Sequence, residues 1–325
     1  MTLLGSCQAP ASTFKSGMLR NFRLLVLFAL PASADWEVKP LVDGLAIHED
    51  GQRVTRCHLS PVPCLYPLPS ASGANLARRW PLEEAAAGEE KDHPHHRSLW
   101  LAHGDVNGFD FWAWTGKGDP KIRTRATRDV VADAEHAAFT LDLEWVAGDQ
   151  IQVTEERRHT LRRPDPRTLW IEIDSRIRPA GEQAVFGDTK EGTFALRVDR
   201  SLRLKGPMAK GHILDSEGRT DDACWGKRAK WVAFHGPDEK GEPAVLAILD
   251  HPQNLRHPTW WHARDYGLLA ANPFGIHDFE SKPDRTLGRH VLKKGEELRQ
   301  RYLVVLHHGS VEDAKLGDAW SQFSK

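Results

Sequence analysis

The sequence predicts an all-β fold of antiparallel strands with one short helix at the C-terminus. After Asp35, short apolar segments are separated by Gly, Pro, Asp and Asn, the residues that commonly end strands. In residues 139–145 and 169–177, apolar side chains alternate with polar ones, as expected for strands with one buried face. Further strands are predicted at residues 36–48, 53–59, 151–161, 193–204, 230–235, 244–250 and 297–307.

The predicted helix begins near Ser310. A serine hydroxyl can accept a hydrogen bond from the first turn, and Asp313 follows three residues later. An apolar stripe for packing against a sheet then follows, formed by Ala314, Leu316 and Trp320. Residues 69–92 lack strand periodicity and are predicted to form a long loop. Loops of that length in a compact domain are commonly functional.

The N-terminal residues 1–34 are predicted to be a signal peptide. Arg20 and Arg23 precede the apolar run 24–30, and a small-residue A-x-A cleavage pattern follows. A signal that starts at Met18 would have ordinary proportions, so Met18 is a candidate for the true start. The alternative is an amphipathic anchor that stays attached to the protein.

Residues 35–325 are predicted to form a single exported β-domain, located in the periplasm or outside the cell. The apolar run near the N-terminus is far shorter than the roughly 20 residues that cross a bilayer, so no membrane span is expected. Lys and Arg total 44 against 45 Asp and Glu, which argues against nucleic acid as a partner. The sequence leaves the oligomeric state open.

The predicted mature chain contains three cysteines, Cys57, Cys64 and Cys224. An odd number excludes a fully paired disulfide framework. Two arrangements remain open: Cys57 and Cys64 close a small loop, or all three thiols are buried and free.

Three polar clusters carry the candidate chemistry. The first, in residues 92–112, supplies His93, His95, His96, Arg97, Trp100, His103 and Asp105. The second supplies Lys190 and Glu191, and the third supplies His257, Trp260, His262, Arg264 and Asn272. Imidazoles exchange protons near neutral pH, and tryptophans stack on sugar rings. The clusters are therefore expected to share one carbohydrate site among loops at one end of a sheet, working without a cofactor.

A metal site is the main alternative. His93, His95 and His96 supply the nitrogen ligands that zinc, copper and iron prefer. Their spacing does not match a known zinc motif, and adjacent histidines in an extended segment point to opposite faces. The sequence leaves a metal-dependent oxidoreductase open as a second function.

Three strings in this chain resemble the exported bacterial PmoA-like (methane oxygenase-like) family. They are DHPHHRSLWLAHGDVNGFDFW, FGDTKEGTFALRV and HPTWWHARDYGLLAANPFG, and the resemblance covers roughly residues 66–307. The β-rich pattern of that family is similar to the galactose mutarotase-type supersandwich, in which the concave face of a large antiparallel sheet binds carbohydrate. The resemblance therefore implies a two-sheet antiparallel β-supersandwich that binds a small sugar or an oligosaccharide.

The resemblance also implies catalytic roles. In mutarotase-like enzymes a glutamate takes a proton from the anomeric hydroxyl and a histidine gives one to the ring oxygen. Here Glu191 would be the base, and His96 or His262 the acid. The remaining side chains of the clusters would bind substrate: His93, His95, Arg97, Trp100, His103, Asp105, Lys190, His257, Trp260, Arg264 and Asn272.

The many histidines and arginines exceed what mutarotation requires. This excess keeps an epimerase, a lyase and a hydrolase open, acting on a sugar or an oxidised sugar. A non-catalytic carbohydrate-binding protein is the remaining alternative, since it would use the same tryptophans.

Overall fold

The computed structural model describes residues 35–325 of the chain. The predicted signal peptide, its cleavage site and the candidate start at Met18 lie outside the described residues. Within residues 35–325, no helix combines the length and the apolar character needed to cross a bilayer.

Eighteen strands and two short helices occur in the described part of the chain. The strands are β1 (Trp36–Leu41), β2 (Gly44–Glu49), β3 (Gln52–His58), β4 (Cys64–Tyr66), β5 (Leu99–His103), β6 (Lys121–Ala132), β7 (Ala137–Ala147), β8 (Gln150–Asp165), β9 (Thr168–Pro179), β10 (Gln183–Phe186), β11 (Gly192–Arg197), β12 (His212–Asp215), β13 (Trp231–Pro237), β14 (Pro243–Asp250), β15 (Trp260–Ala263), β16 (Leu268–Asn272), β17 (His290–Lys293) and β18 (Leu298–His308). The helices are α1 (Ile276–Phe279) and α2 (Leu316–Phe323), and a 3₁₀ turn covers Asp221–Cys224.

Two eight-stranded antiparallel sheets form the body of the protein. The first sheet has the order β1-β2-β3-β4-β5-β11-β16-β15, and the second has the order β12-β13-β14-β18-β9-β8-β7-β6. Strands β10 and β17 form a separate pair. The predicted all-β fold with two antiparallel sheets and a short C-terminal helix is therefore confirmed.

The space between the two sheets is filled by apolar side chains and one buried ion pair. Phe194 of the first sheet stacks on Tyr302 of the second, with ring centroids 4.6 Å apart. Arg157 donates to Glu155 at 2.7 Å, and both side chains are almost completely buried. The Arg157 guanidinium also donates to the Leu101 carbonyl oxygen at 3.3 Å. This last bond links the second sheet to a strand that carries the candidate site.

The three cysteines of the described chain are free and buried. Cys57 and Cys64 lie on the neighbouring strands β3 and β4, one register position apart, without a disulfide between them. Burial raises the pKa of the Cys57 thiol and raises the pKa of the Cys224 thiol to about 12. Of the two arrangements left open by the sequence, the structure has three buried thiols.

The main departures from the predicted elements have local causes. Residues 36–48 form the hairpin of β1 and β2, since the chain turns at Val42. Strand β6 was not predicted because it is a largely exposed edge strand with few apolar residues. Helix α2 begins at Leu316, six residues later than expected: the Ser310 hydroxyl does accept from the Asp313 amide, but the residues between them form turns.

Helix α2 packs on the outer face of the second sheet, away from the space between the sheets. Its buried side chains are Leu316, Ala319 and Phe323, and they contact Trp170 and other apolar residues of strands β13, β14 and β18. Of the predicted apolar stripe, Leu316 is buried in this contact, and Ala314 and Trp320 pack, partly buried, against the same cluster. Trp320 also donates its indole N–H to the Asp250 carbonyl oxygen.

Candidate functional site

A row of cross-strand neighbours in the first sheet forms the floor of the candidate site. Trp100 pairs with Ala195, Ala195 pairs with Ala270, and Ala270 pairs with His262. Directly opposed residues of antiparallel strands point to the same face of a sheet. Because the two central residues are alanines, a trough remains between the larger residues at the two ends.

The same alternation gives these four strands two different faces. Leu101, Phe194, Leu269 and Trp261 are neighbours of the floor residues along their strands and belong to the core between the sheets. A side chain two positions along the strand from a floor residue points to the same face of the sheet as that residue, so Arg197 and Ala195 share a face. Both faces are covered, so these strands are buried almost throughout.

His262 of this row lines a pocket of about 470 Å³, whereas Ala195 and Ala270 are fully buried and are not part of its lining. Residues from all three polar clusters line it, together with two aromatic side chains. The lining residues are His93, His95, His96, Asp110, Trp112, Ala113, Lys190, Glu191, His262, Arg264 and Tyr266. The pocket therefore lies on the face of a sheet, under loops from both ends of the strands, and the expected position at one end of the sheet was wrong.

Two buried arginines hold the histidine segment over the floor. Arg78 donates to the carbonyl oxygens of Asp92, His93 and His96, at 2.9, 2.8 and 3.1 Å. It also donates to the Asp92 carboxylate at 2.6 Å, and Arg197 donates to the same carboxylate at 3.1 Å. Burial raises the pKa of Asp92, but Arg197, His93 and Arg78 outweigh it and the net pKa is lowered. The carboxylate thus stays ionised between two guanidinium groups.

Arg197 also fixes the tautomer of His96. Its Nη1 donates to Nδ1 of His96 at 3.0 Å. A guanidinium has no acceptor, so Nδ1 must be the unprotonated nitrogen and Nε2 must carry the hydrogen in the neutral ring. Burial lowers the pKa of His96 strongly, and nearby His95 and Arg197 lower it further. His96 is therefore a neutral ring that offers an N–H group.

Two buried donors at the pocket have no acceptor among residues 35–325. They are Nε2 of His96 and Nε1 of Trp112, and each side chain is only 1% exposed. Leaving a buried donor without a partner costs about 1–3 kcal/mol. Both residues line the pocket, so a ligand oxygen or an ordered water that reaches these two nitrogens would satisfy them.

His262 has the opposite orientation. Its Nδ1 lies 3.1 Å from the Lys190 carbonyl oxygen, which can only accept, so Nδ1 carries the hydrogen and Nε2 is an acceptor. Burial lowers the pKa of His262 to about 4, and burial together with His93 lowers the pKa of His95 to about 4 as well. At neutral pH these rings contribute no positive charge to the pocket.

The turn that carries Glu191 is held by four hydrogen bonds. Asn272 donates to the Thr189 carbonyl oxygen at 2.9 Å, and the Lys190 amide donates to the Asp278 carboxylate at 3.0 Å. His262 donates to the Lys190 carbonyl, and the Gly104 amide donates to the Glu191 carbonyl at 2.7 Å. A Cβ at position 104 would lie 2.9 Å from Cβ of Glu191, so this approach requires glycine.

The Glu191 carboxyl group is partly buried in the pocket wall. Burial raises its pKa, Lys190 lowers it, and Asp110 raises it again, with a net rise. The Lys190 ammonium lies 3.9 Å from the Glu191 carboxylate, and both side chains are about two-fifths exposed. This arrangement gives a carboxylate with a raised pKa beside a mobile positive charge, as general bases commonly have.

Half of the residues predicted for the site do not line the pocket. Trp100 lies beneath it and stacks on His96, Arg97 donates to the Ser60 carbonyl oxygen, and His103 lies in the core against Phe274. Asp105 accepts from the amide of Gly108, and Asn272 holds the Thr189 turn. His257 pairs with Asp250, and Trp260 bonds to Glu280 under the Arg228 side chain.

No group of three His, Cys, Asp or Glu side chains within residues 35–325 is arranged to hold a metal ion. In the histidine segment, Nδ1 of His93 bonds to Asp92 and Nδ1 of His96 bonds to Arg197. These bonds occupy Nδ1 of each ring and leave Nε2 of His93 and His96 for any other partner.

Five pocket or support residues were not assigned a site role from the sequence, although Asp110 and Trp112 belong to the first polar cluster and Trp112 was available for stacking: Arg78, Asp110, Trp112, Arg197 and Tyr266. A signal for Arg197 existed, since it stands two positions from Ala195 in a strand that is otherwise apolar. A charged residue at that position has to be paired or to face a site. Tyr266 stacks on His93 and lies under the Arg197 guanidinium, a contact that only the fold reveals.

Arg197→Met is expected to lower the free energy of unfolding by about 3 kcal/mol. The substitution removes the donor to His96 and one of the two guanidinium partners of Asp92, and the loss of one partner from a buried ion pair costs about 3–5 kcal/mol. The lower end applies because Asp92 is partly exposed. Urea denaturation measures the change. The matched control is Arg162→Met, at an exposed arginine over Trp170, for which less than about 1 kcal/mol is expected. Equal losses in the two variants would contradict the role given to Arg197.

The pH dependence of stability gives a second test. His262 has a folded-state pKa of about 4 against an ordinary value of 6.5, so between these pH values the unfolded chain binds more protons than the folded one. The free energy of unfolding should therefore fall as the pH drops through this window. His262→Gln should reduce that slope by up to about 1.4 kcal/mol per pH unit, in denaturation curves taken from pH 7 to pH 4. His212→Gln, at an exposed histidine, is the control, and an unchanged slope in the His262 variant would show that the ring titrates normally.

Comparison with known proteins gives a family match. The model described as "Family of unknown function (DUF6807)" matches residues 45–321. None of the curated proteins matches the chain. Among solved structures, the crystal structure of a GalM/aldose epimerase homologue from C. elegans is similar, with 9% identity, a TM-score of 0.30, and coverage of 85% of this chain and 99% of that chain. These comparisons give no support to the PmoA-like assignment. Because the family model spans most of the sequence, the chain belongs to the DUF6807 family.

Proposed function

We propose that the pocket binds a sugar or an oxidised sugar and catalyses proton transfer on it, with Glu191 as the general base. The observation that carries the proposal is the position of the Glu191 carboxyl group in one pocket with two histidines of opposite hydrogen-bonding character. His96 offers an N–H group and His262 offers a nitrogen lone pair. A polyhydroxylated ligand has both acceptors and donors to match them.

Size and lining also support a sugar. A pocket of about 470 Å³ is large enough for a small ligand, and Trp112 and Tyr266 contribute aromatic surface to its wall. Of the tryptophans available for stacking, Trp100 and Trp260 are not in the wall and Trp112 is, so Trp112 takes that role in the proposal. The mixture of carboxylates, cations and neutral imidazoles is suited to hydroxyl recognition rather than to an apolar ligand.

The proposed step begins with an ionised Glu191. Its carboxylate takes a proton from a C–H bond next to a carbonyl or carboxyl group of the sugar, and the electron pair of that bond forms the C=C bond of an enolate while the carbonyl oxygen takes up the negative charge. The N–H of His96 and the cations Lys190 and Arg264 would stabilise this oxygen. Delivery of a proton to the opposite face of that carbon restores the carbonyl group and gives epimerisation, and departure of a substituent on the neighbouring carbon with its bonding electrons gives elimination.

The protonation states of His96 and His262 favour catalytic roles that differ from those in mutarotation. His96 or His262 was expected as the acid, but burial holds each of them neutral at neutral pH. A neutral His96 donates a hydrogen bond without giving up its proton. Charge stabilisation of a developing oxyanion, as in an epimerase or a lyase, thus suits these rings better than protonation of a ring oxygen.

Glu191→Gln is expected to lower turnover by 10²- to 10⁴-fold while ligand binding changes only a few-fold. The substitution removes the proton acceptor but keeps the size of the side chain. Activity is measured by NMR exchange of substrate protons with D₂O and binding by calorimetry, with a panel of neutral and oxidised sugars. In the unmodified protein, the acid limb of kcat/KM should lie above the ordinary pKa of glutamate, since burial raises the pKa of Glu191.

Glu182→Gln is the matched control, because this glutamate is exposed and bonds only to Lys294 at the surface. It should leave turnover and binding unchanged. If the unmodified protein and both variants bind sugar but none of them exchanges substrate protons with D₂O, the protein is a non-catalytic carbohydrate-binding protein. Full turnover by the Glu191 variant would overturn the assignment of the base.

A further inference from the structure

We infer that the ligand of this pocket carries one carboxylate group, bound by Arg264, so that an acidic sugar is preferred over a neutral one. The inference rests on the proposed function for the conclusion that the ligand is a sugar, and on Arg264 for the conclusion that the ligand is negatively charged. It assigns to Arg264 the selection of the substrate class.

Arg264 differs from the other arginines of the site in lacking a polar partner. Arg78 and Arg197 are both bonded to the Asp92 carboxylate. The Arg264 guanidinium lines the pocket, yet within residues 35–325 it takes part in no side-chain hydrogen bond or salt bridge, and its nearest aromatic contact is Tyr266 at 5.6 Å. A half-buried guanidinium with a free planar edge matches the two oxygens of a carboxylate.

The charges of the pocket favour a single negative charge on the ligand. Lys190 faces Glu191 across 3.9 Å, so its charge already has a counter-charge nearby. The buried rings of His95, His96 and His262 are neutral at neutral pH. Arg264 is then the cation of the lining that has no carboxylate within salt-bridge distance among the described residues. One ligand carboxylate would pair with it, whereas a phosphate dianion would bring a second negative charge near Asp110 and Glu191.

The buried donors are a second, independent observation that points to an oxygen-rich ligand. Nε2 of His96 and Nε1 of Trp112 have no acceptor within the described chain, although both side chains are almost completely buried. Hydroxyl and ring oxygens of a sugar would accept from these groups while the carboxylate binds Arg264. An acidic sugar supplies both kinds of oxygen in one molecule.

The test compares matched ligands by calorimetry at low salt. The panel contains galacturonate, its methyl ester and galactose; glucuronate, its methyl ester and glucose; and glucose 6-phosphate. At least one free acid should bind at least about tenfold tighter than its ester and its neutral parent, since a hydrogen-bonded ion pair contributes that much. The ester comparison uses the unmodified protein and so does not depend on the folding of a variant.

Variants of the protein then test whether Arg264 causes the preference for the free acid. Arg264→Gln should bring the acid and its ester to within about twofold of each other without weakening the neutral sugar, and Arg264→Lys should keep part of the preference. The control is Arg285→Gln, at an exposed arginine, which should preserve the full preference.

Failure of the carboxylate inference and failure of the proposed function would give different binding results. Equal binding of acid, ester and neutral sugar would overturn the carboxylate inference and leave the proposed function intact. Tighter binding of the phosphate, lost in Arg264→Gln, would overturn the inference in favour of a phosphorylated sugar. Absence of binding by every sugar would overturn both.

Discussion

The candidate site depends on one carboxylate held between two buried guanidinium groups. Asp92 bonds to Arg78 and Arg197, and these arginines in turn bond to three carbonyl oxygens of the histidine segment and to the His96 ring. Burying two arginines is costly unless they are paired, so Asp92 makes the arrangement stable. Without it, the segment over the floor would lose its anchor and the His96 ring its orientation. The geometry of the pocket thus depends on the ion pairs that Asp92 forms with Arg78 and Arg197.

The floor shows how a sheet with two buried faces can carry a polar site. Along β5, β11, β15 and β16 alternate side chains enter the core between the sheets, and the remaining ones face the pocket. The small residues in the middle of the row, Ala195 and Ala270, are fully buried between the larger residues at its ends. Burial keeps the imidazoles of His95, His96 and His262 neutral, and Lys190 and Arg264 supply positive charge to the pocket. Recognition and proton transfer are in this way assigned to different side chains.

Much of the fold and part of the site could be predicted from the sequence. Period-two patterning predicted most of the long strands, and the composition of the three clusters predicted that His96, Glu191 and His262 belong together. Patterning failed for β6 because an exposed edge strand has no apolar face. The pair Trp260 and Trp261 suggested a surface for stacking on a sugar ring, but adjacent residues of a strand face opposite sides of the sheet. Trp261 enters the core, and Trp260 lies under Arg228. The support from Arg78 depends on a contact with a segment 14 residues away, which local patterning does not report.

A crystal structure of the protein soaked with an oxidised sugar tests the central claim most directly. Ligand density is expected in the pocket lined by His96, Glu191 and His262, with ligand oxygens within hydrogen-bond distance of Nε2 of His96 and Nε1 of Trp112. A ligand bound elsewhere on the molecule, with those two N–H groups bonded only to water, would contradict the claim.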